Sequence, residues 1–147
     1  MKETILGFLK EHNTMSLATT KDNFPFAASL FYANYEFTIY FLSSPASQHA
    51  LNISRNPNVA VTINKDYSEW RMIKGLQIKG KAYEVPRGEL EIAERTYAQK
   101  YPFLKETLGN KKLFRRAADI KFFKVIPERI RLIDNQIGFG YKVEVRI

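Results

Sequence analysis

The chain has 147 residues, 45% hydrophobic and 14% aromatic, which is enough apolar material for one packed core and excludes a disordered composition. It has no cysteine, which excludes disulfides, thiolate metal sites and thiol nucleophiles, suits a reducing cytoplasm, and means that redox work would need a borrowed cofactor. Its 23 Lys and Arg exceed 15 Asp and Glu by +8, a balance that attracts phosphate-bearing partners, nucleic acid and phosphorylated cofactors alike.

In Met1–His12, Ile5, Phe8 and Leu9 recur at helical spacing opposite Glu3, Lys10 and Glu11, which predicts a short amphipathic helix that Asn13 can end. No run of about 18 apolar residues follows, so neither a signal peptide nor a membrane span is expected. Thr14–Thr20, Pro25–Ala33 and Phe37–Ser43 are rich in β-branched and aromatic residues. Joined by the turn-prone Lys21-Asp22-Asn23 and Asn34-Tyr35-Glu36, they read as three consecutive antiparallel strands. In Ser44–Ile53, Ser44 suits an N-cap and Pro45 the first helical position, with Ala46, Ala50 and Ile53 on one face. A strand thus runs directly into a helix N-terminus, and Asn56-Pro57-Asn58 ends that helix.

Val59–Ile63 alternates as a strand, and Asp66–Lys74 is a polar loop holding Trp70, the only tryptophan, beside Arg71. In the strand Gly75–Val85, Leu76, Ile78 and Ala82 oppose Gln77, Lys79 and Lys81, while Gly80 suggests a bulge or a close backbone approach. Arg87–Leu104 is the longest helix candidate, with Leu90, Ala93, Tyr97 and Tyr101 as an apolar stripe and a Glu91–Arg95 pair. Asp119–Ile126 and Glu128–Asp134 read as two strands around Pro127, and Tyr141–Ile147 alternates strictly. Gly138-Phe139-Gly140 suits a hairpin turn. About seven or eight mostly antiparallel strands with short flanking helices predict a single mainly β domain over 1–147, a closed or split barrel rather than a doubly wound sheet.

The order of these motifs carries a resemblance. After the first helix come Met15–Thr20, a strand opened by Pro25, Ile39–Ser44, a helix at Ser47, Asn56–Val61 and Leu76–Ala82. This order resembles the FMN-binding split barrel of the pyridoxamine 5′-phosphate oxidase-like superfamily. The C-terminal Pro127–Asn135 with Ile137–Gly140 is similar to an uncharacterised bacterial branch related to it. The resemblance implies a homodimer with FMN in clefts between the subunits and its phosphate near Ser43, Ser44, Ser47, Gln48 and His49. A helix N-terminus suits an anion on physical grounds as well, through its unpaired N–H groups and partial positive charge. Strongly FMN-binding members carry a basic pair where this chain has Gln48 and His49, and further basic positions fall near Ala27 and Tyr32, which implies weaker anchoring. Arg71, Lys74, Lys79 and Lys81 are the candidate replacement cations, with Trp70, Arg71 and Lys74 as candidate flavin contacts.

The expected activity is oxidoreduction of an unidentified small molecule, in which the cofactor performs the chemistry and no catalytic side chain is singled out. One alternative is a basic, aromatic barrel gripping single-stranded nucleic acid; another is a split barrel holding haem, another cofactor or none. Phe31, Tyr32, Tyr40 and Phe41 are assigned to core or interface packing. His12 and His49 are the only histidines, so no metal site is expected, and the basic run Lys111–Arg116 reads as a solvated face.

Overall fold

The computed structural model describes residues 1–103 and 119–147. Helix α1 (Lys2–Glu11) buries Ile5, Phe8 and Leu9, the residues that the helical spacing places on one face. Its C-terminus is closed by His12, whose Nδ1 hydrogen-bonds the Phe8 carbonyl at 2.8 Å while the ring stacks on Phe8.

Eight strands follow: β1 (Thr14–Lys21), β2 (Phe24–Phe31), β3 (Ala33–Tyr35), β4 (Thr38–Ser43), β5 (Asn58–Asn64), β6 (Lys74–Glu84), β7 (Lys121–Asp134) and β8 (Lys142–Arg146). They form one antiparallel sheet in the order β2-β1-β5-β6-β7-β4-β3, with β8 paired to β7. β2 and β3 stand at the two ends of that order, yet only Tyr32 separates them in the chain. One extended segment therefore pairs first with β1 and then with β4, and curls the sheet into a split barrel. Tyr32 is the corner: its side chain is fully buried, its N–H donates to the Asn13 carbonyl and its hydroxyl to the Leu9 carbonyl.

This corner corrects two expectations. The strand expected over Pro25–Ala33 divides at Tyr32, and β4 pairs with β3 and β7 rather than with β2. Asn34 and Tyr35, expected as turn residues, lie in β3, and the turn is made one residue later at Glu36, whose φ is +51°. Hydrogen bonding to Ile39 and Thr38 outweighs the turn tendency of asparagine there.

β7 corrects a further expectation. It is one strand through Pro127, not two, because a bulge leaves Glu128 as the extra residue between the Lys79–Arg129 and Gly80–Pro127 pairs. Pro127 has no N–H to lose from the ladder. Gly80 is required by close approach: a Cβ there would stand 2.3 Å from the Ile126 carbonyl oxygen. Along one edge β7 follows β6, and along the other it pairs with β4 before the bulge and β8 after it.

The interior is built from alternate residues, including Leu17, Phe41, Val61, Ile63, Leu76, Ile78, Val125, Ile130 and Leu132, against which α1 and α2 (Gln48–Arg55) pack. The expected helix over Arg87–Leu104 is a 3-10 turn (Arg87–Glu89) followed by α3 (Leu90–Lys100), and Leu104 lies outside the described residues. α3 buries Ala93 and Tyr97, and the Glu91–Arg95 pair closes at 2.8 Å. Its end is fastened to the corner. Lys100 donates to the Leu9 and His12 carbonyls and sits 4.1 Å over the Tyr32 ring, while the Tyr101 hydroxyl bonds the Tyr32 and Asn13 carbonyls. No helix among the described residues is long and apolar enough to cross a membrane.

Candidate functional site at the start of α2

Between β4 and α2 the chain turns through Ser44-Pro45-Ala46-Ser47. Ser47, not Ser44, is the helix N-cap: it holds extended dihedrals (φ −66°, ψ 153°) and its Oγ accepts from the Ala50 N–H at 3.3 Å. Ser44 caps the preceding turn, where its Oγ accepts from the Ala46 N–H and its carbonyl from the Ser47 N–H. Pro45 therefore lies in that turn and not at the first helical position. The first i→i−4 bond of α2 runs from the Leu51 N–H to the Ser47 carbonyl, so the N–H groups of Gln48 and His49 precede the helical ladder.

Ser43, Ser47 and His49 form a closed network. His49 Nε2 and the Ser43 hydroxyl share a short hydrogen bond, and the two serine oxygens lie 3.1 Å apart. The Ser47 hydroxyl donates to the Ser44 carbonyl at 2.7 Å. Burial pushes the His49 imidazole below its ordinary value, which favours the neutral ring. No carboxylate among the described residues contacts His49, so the Ser43–His49 pair lacks the orienting third group of a hydrolase triad. Its effect is to hold the strand end against the helix start. What remains to meet an anion is the Ser44 hydroxyl proton, the first-turn N–H groups of Gln48 and His49, the Gln48 amide, and the partial positive charge of the helix end.

That helix start borders a cleft of about 410 Å³, lined by Gln48 and Asn52 of α2 and by Lys21, Phe24, Pro25 and Phe26 of the β1–β2 hairpin, with Asp22 at its turn. Gln48 donates to Asn52 Oδ1 at 2.8 Å, and Asn52 in turn donates to the buried Thr19 hydroxyl, which fixes the cleft's polar side. Asp22 and Asn23 both have positive φ, as a tight two-residue hairpin requires, and this exposes Phe24 (79%) and half-exposes Phe26 (40%) beside Gln48. Lys21 is thus the cation that neighbours Gln48. Sequence reasoning looked for it further along the chain, and only the docking of α2 on β1 identifies it.

Trp70, Arg71 and Lys74 are elsewhere. Trp70 and Arg71 open a 3-10 turn (Trp70–Met72) held by Glu69, whose carboxylate accepts from the Arg71 N–H, and by Asn135, which donates to the Trp70 carbonyl. Trp70 is half exposed, packs edge-on to Phe139 at 5.5 Å and carries the Arg71 guanidinium 5.2 Å above its ring. Lys74 Nζ stands 3.9 Å from the Asp134 carboxylate. Ser43 pairs with Lys121 and Lys74 with Asp134, the first and last residues of β7. At about 3.3 Å per residue the two groups are separated by roughly 40 Å of strand. One chain does not bring them together.

Phe139, 84% exposed, joins the second group without any local signal beyond its hairpin glycines, of which Gly140 has φ +70°. Lys79 and Lys81 project from the outer face of β6. Tyr32, Tyr40 and Phe41 are buried in packing, whereas Phe31 is 57% exposed. The run at 111–116 lies outside the described residues. Among the described residues no cluster of three or more potential metal ligands occurs.

A family model described as pyridoxamine 5′-phosphate oxidase matches residues 1–134. A UPF0306 protein of Klebsiella pneumoniae is 23% identical over 141 residues, covering 95% of this chain and 88% of the relative. Among solved structures, a candidate pyridoxamine 5′-phosphate oxidase of Listeria innocua has a TM-score of 0.69 at 22% identity, over 90% of this chain and 98% of that one. An FAD-binding protein of Mesorhizobium loti has a TM-score of 0.69 at 21% identity, covering 88% and 90%. A haem-binding protein of Mycobacterium smegmatis has a TM-score of 0.75 at 18% identity, covering 99% of this chain and 56% of that one. The split barrel, its motif order and these likenesses agree, and the chain belongs to the pyridoxamine 5′-phosphate oxidase family.

Proposed function

We propose that the protein is a cytoplasmic flavoprotein oxidoreductase that binds FMN between two copies of the chain and acts on a small molecule. The observation that carries this is the start of α2: a helix end with free N–H groups beside the Ser44 hydroxyl, bordering a cleft with Gln48, Lys21 and the exposed Phe26. These groups suit a phosphate at the polar end and a flat ring over the aromatic side chains. Ser43, Ser47 and His49 act by positioning, because their hydroxyls and ring nitrogen are bonded to one another and to the turn. When bound, the flavin would supply the electron or hydride exchange with substrate.

The homodimer is supported by the separation of the two groups along β7. A twofold axis brings different ends of two copies together, so the partner's aromatic pair, Trp70 with Phe139, can meet the α2 end of the first chain. Arg71 would then offer positive charge to the anionic reduced ring. Haem is less well supported at this cleft: His49 Nε2 is bonded to Ser43, and His12, whose Nδ1 bonds the Phe8 carbonyl and whose buried Nε2 has no hydrogen-bond partner, does not line it.

The test is an FMN fluorescence-quenching titration of the purified protein with light scattering. Quenching by a dimer is expected; a colourless protein that takes up no FMN, or a monomer, overturns the proposal. Ser47→Asp preserves a good N-cap residue while placing a negative charge at the phosphate. It is expected to weaken FMN at least tenfold with little change in melting temperature, and unchanged affinity removes the phosphate from α2.

A further inference from the structure

The outer face of the sheet carries charge that a flavin at α2 does not use. The register sets Lys79 of β6 directly opposite Arg129 of β7, and Arg129 directly opposite Arg146 of β8. All three leave the outer side, because the adjacent Ile78, Gly80, Ile130 and Val145 turn toward the core. Three cations therefore stand in one row, about 4.8 Å apart from strand to strand. Like charges directly opposite one another oppose strand pairing, so the row is unfavourable in the free protein.

The next row along is Gln77, Arg131 and Glu144. Glu144 is the one carboxylate in the two rows, and it serves two guanidiniums, Arg131 at 3.1 Å and Arg129 at 3.8 Å. Among the described residues Lys79 and Arg146 have no ion-pair partner. Four cations and one carboxylate give these two rows a net charge of +3, with the exposed Glu128 of the bulge beside Arg129. Beside them lies a shallow cleft of about 370 Å³, lined by Ala60 and Thr62 of β5 with Gln77, Lys79, Arg129, Arg131 and the Glu144 carboxylate that pairs with both arginines. The small β5 side chains leave the room and the neighbouring strands provide the charge.

We infer that this face binds a linear oligophosphate, free or as the tail of a nucleotide. Such a chain presents several negative charges along one line. Arg129 and its row neighbours stand about 4.8 Å apart, and Arg131 lies about 6.6 Å further along β7, so successive phosphates can each meet a cation. Guanidiniums suit this role because their planar forks match phosphate oxygens two at a time. Binding would also relieve the repulsion within the row. On the β5 side these rows are bounded by uncharged Ala60 and Thr62, while Lys81 continues the positive face along β6.

The test uses the full chain and isothermal titration with inorganic tripolyphosphate, ATP and orthophosphate at low and high salt, with a thermal melt in parallel. Tripolyphosphate is expected to bind more tightly than orthophosphate, to weaken as salt rises, and to weaken at least tenfold in Arg146→Gln. ATP equal to tripolyphosphate supports recognition of the chain alone, and ATP binding more tightly supports a nucleotide. Arg146→Gln is expected to melt at or above the wild-type temperature in low salt, and tripolyphosphate to raise the wild-type melt more than the variant's. Absence of binding by both tripolyphosphate and ATP, affinity unchanged in Arg146→Gln, or binding only to a single-stranded oligonucleotide overturns the inference. FMN affinity is read separately at α2 through Ser47→Asp, so either proposal can fail alone.

Discussion

Gly80→Ala tests whether the bulge that joins the two halves of β7 depends on a missing side chain. An added Cβ would lie 2.3 Å from the Ile126 oxygen and 3.0 Å from both the Ile126 carbonyl carbon and Pro127 Cα. These are backbone atoms in a strand paired on both edges, so no rotamer change can clear the clash. Overpacking of this kind costs about 1–3 kcal/mol. The alanine regains about 0.4–1 kcal/mol by narrowing the unfolded ensemble. A net loss of about 1.3 kcal/mol corresponds to a fall of roughly 3–5 °C in melting temperature for a chain of this size. The assay is a thermal melt by circular dichroism beside Gly138→Ala, where no heavy atom lies within 4 Å of an added Cβ and φ is not positive. That control should stay within about 0.5 kcal/mol of wild type. A Gly80→Ala protein that melts with wild type, or a Gly138→Ala protein that falls as far, would refute the role assigned to the bulge.

Gln48→Arg restores a cation at the start of α2 beside Lys21 and should tighten FMN about tenfold, near 1.4 kcal/mol, while leaving riboflavin, which has no phosphate, unchanged. Equal tightening of both flavins would contradict a phosphate at that end. The Lys124 ammonium, 2.8 Å from Glu89 and joined there by the Tyr40 hydroxyl, holds the Glu89 carboxyl below its ordinary range. Glu89→Gln should therefore cost about 1 kcal/mol at pH 7, with the deficit shrinking as pH falls from the ordinary carboxylate value of about 4.3 through the depressed folded value; a deficit in urea melts that does not shrink on acidification rejects the ion pair as its source. Burial pushes the Lys100 ammonium down to about 8, whereas an unfolded lysine keeps its proton to about pH 10. Between those values the unfolded chain binds more protons, so wild-type stability should rise with pH relative to Lys100→Met, and parallel pH profiles would rule this out.

Several elements were legible because their cause is local. Ile5, Phe8 and Leu9 fall on one face of α1 through helical geometry alone, and β5 and β6 bury alternate residues because the side-chain period of a strand is two. Gly80 was read as a bulge or close approach; it makes the close approach and stands opposite a bulge whose extra residue, Glu128, is on β7. The order of motifs from the first helix to Ala82 was sufficient to identify the split barrel, since each segment occupies its own place in that architecture. Among three serines within five residues, local preference could not select the cap, because Ser44 and Ser47 both accept a backbone N–H and only one of those donors belongs to α2.

The chain's own pattern therefore determined the strands, the helices and their family, through periodicities that depend on neighbours a few residues away. Only the tertiary structure decided that one extended segment changes partner at Tyr32, that β7 runs unbroken past Pro127, that Lys21 is the cation beside Gln48, and that Ser43 and Lys74 pair with opposite ends of β7. Each of these depends on register between residues distant in sequence. A strand's pattern states which face is buried, but its partners are set by how the whole sheet curls and closes.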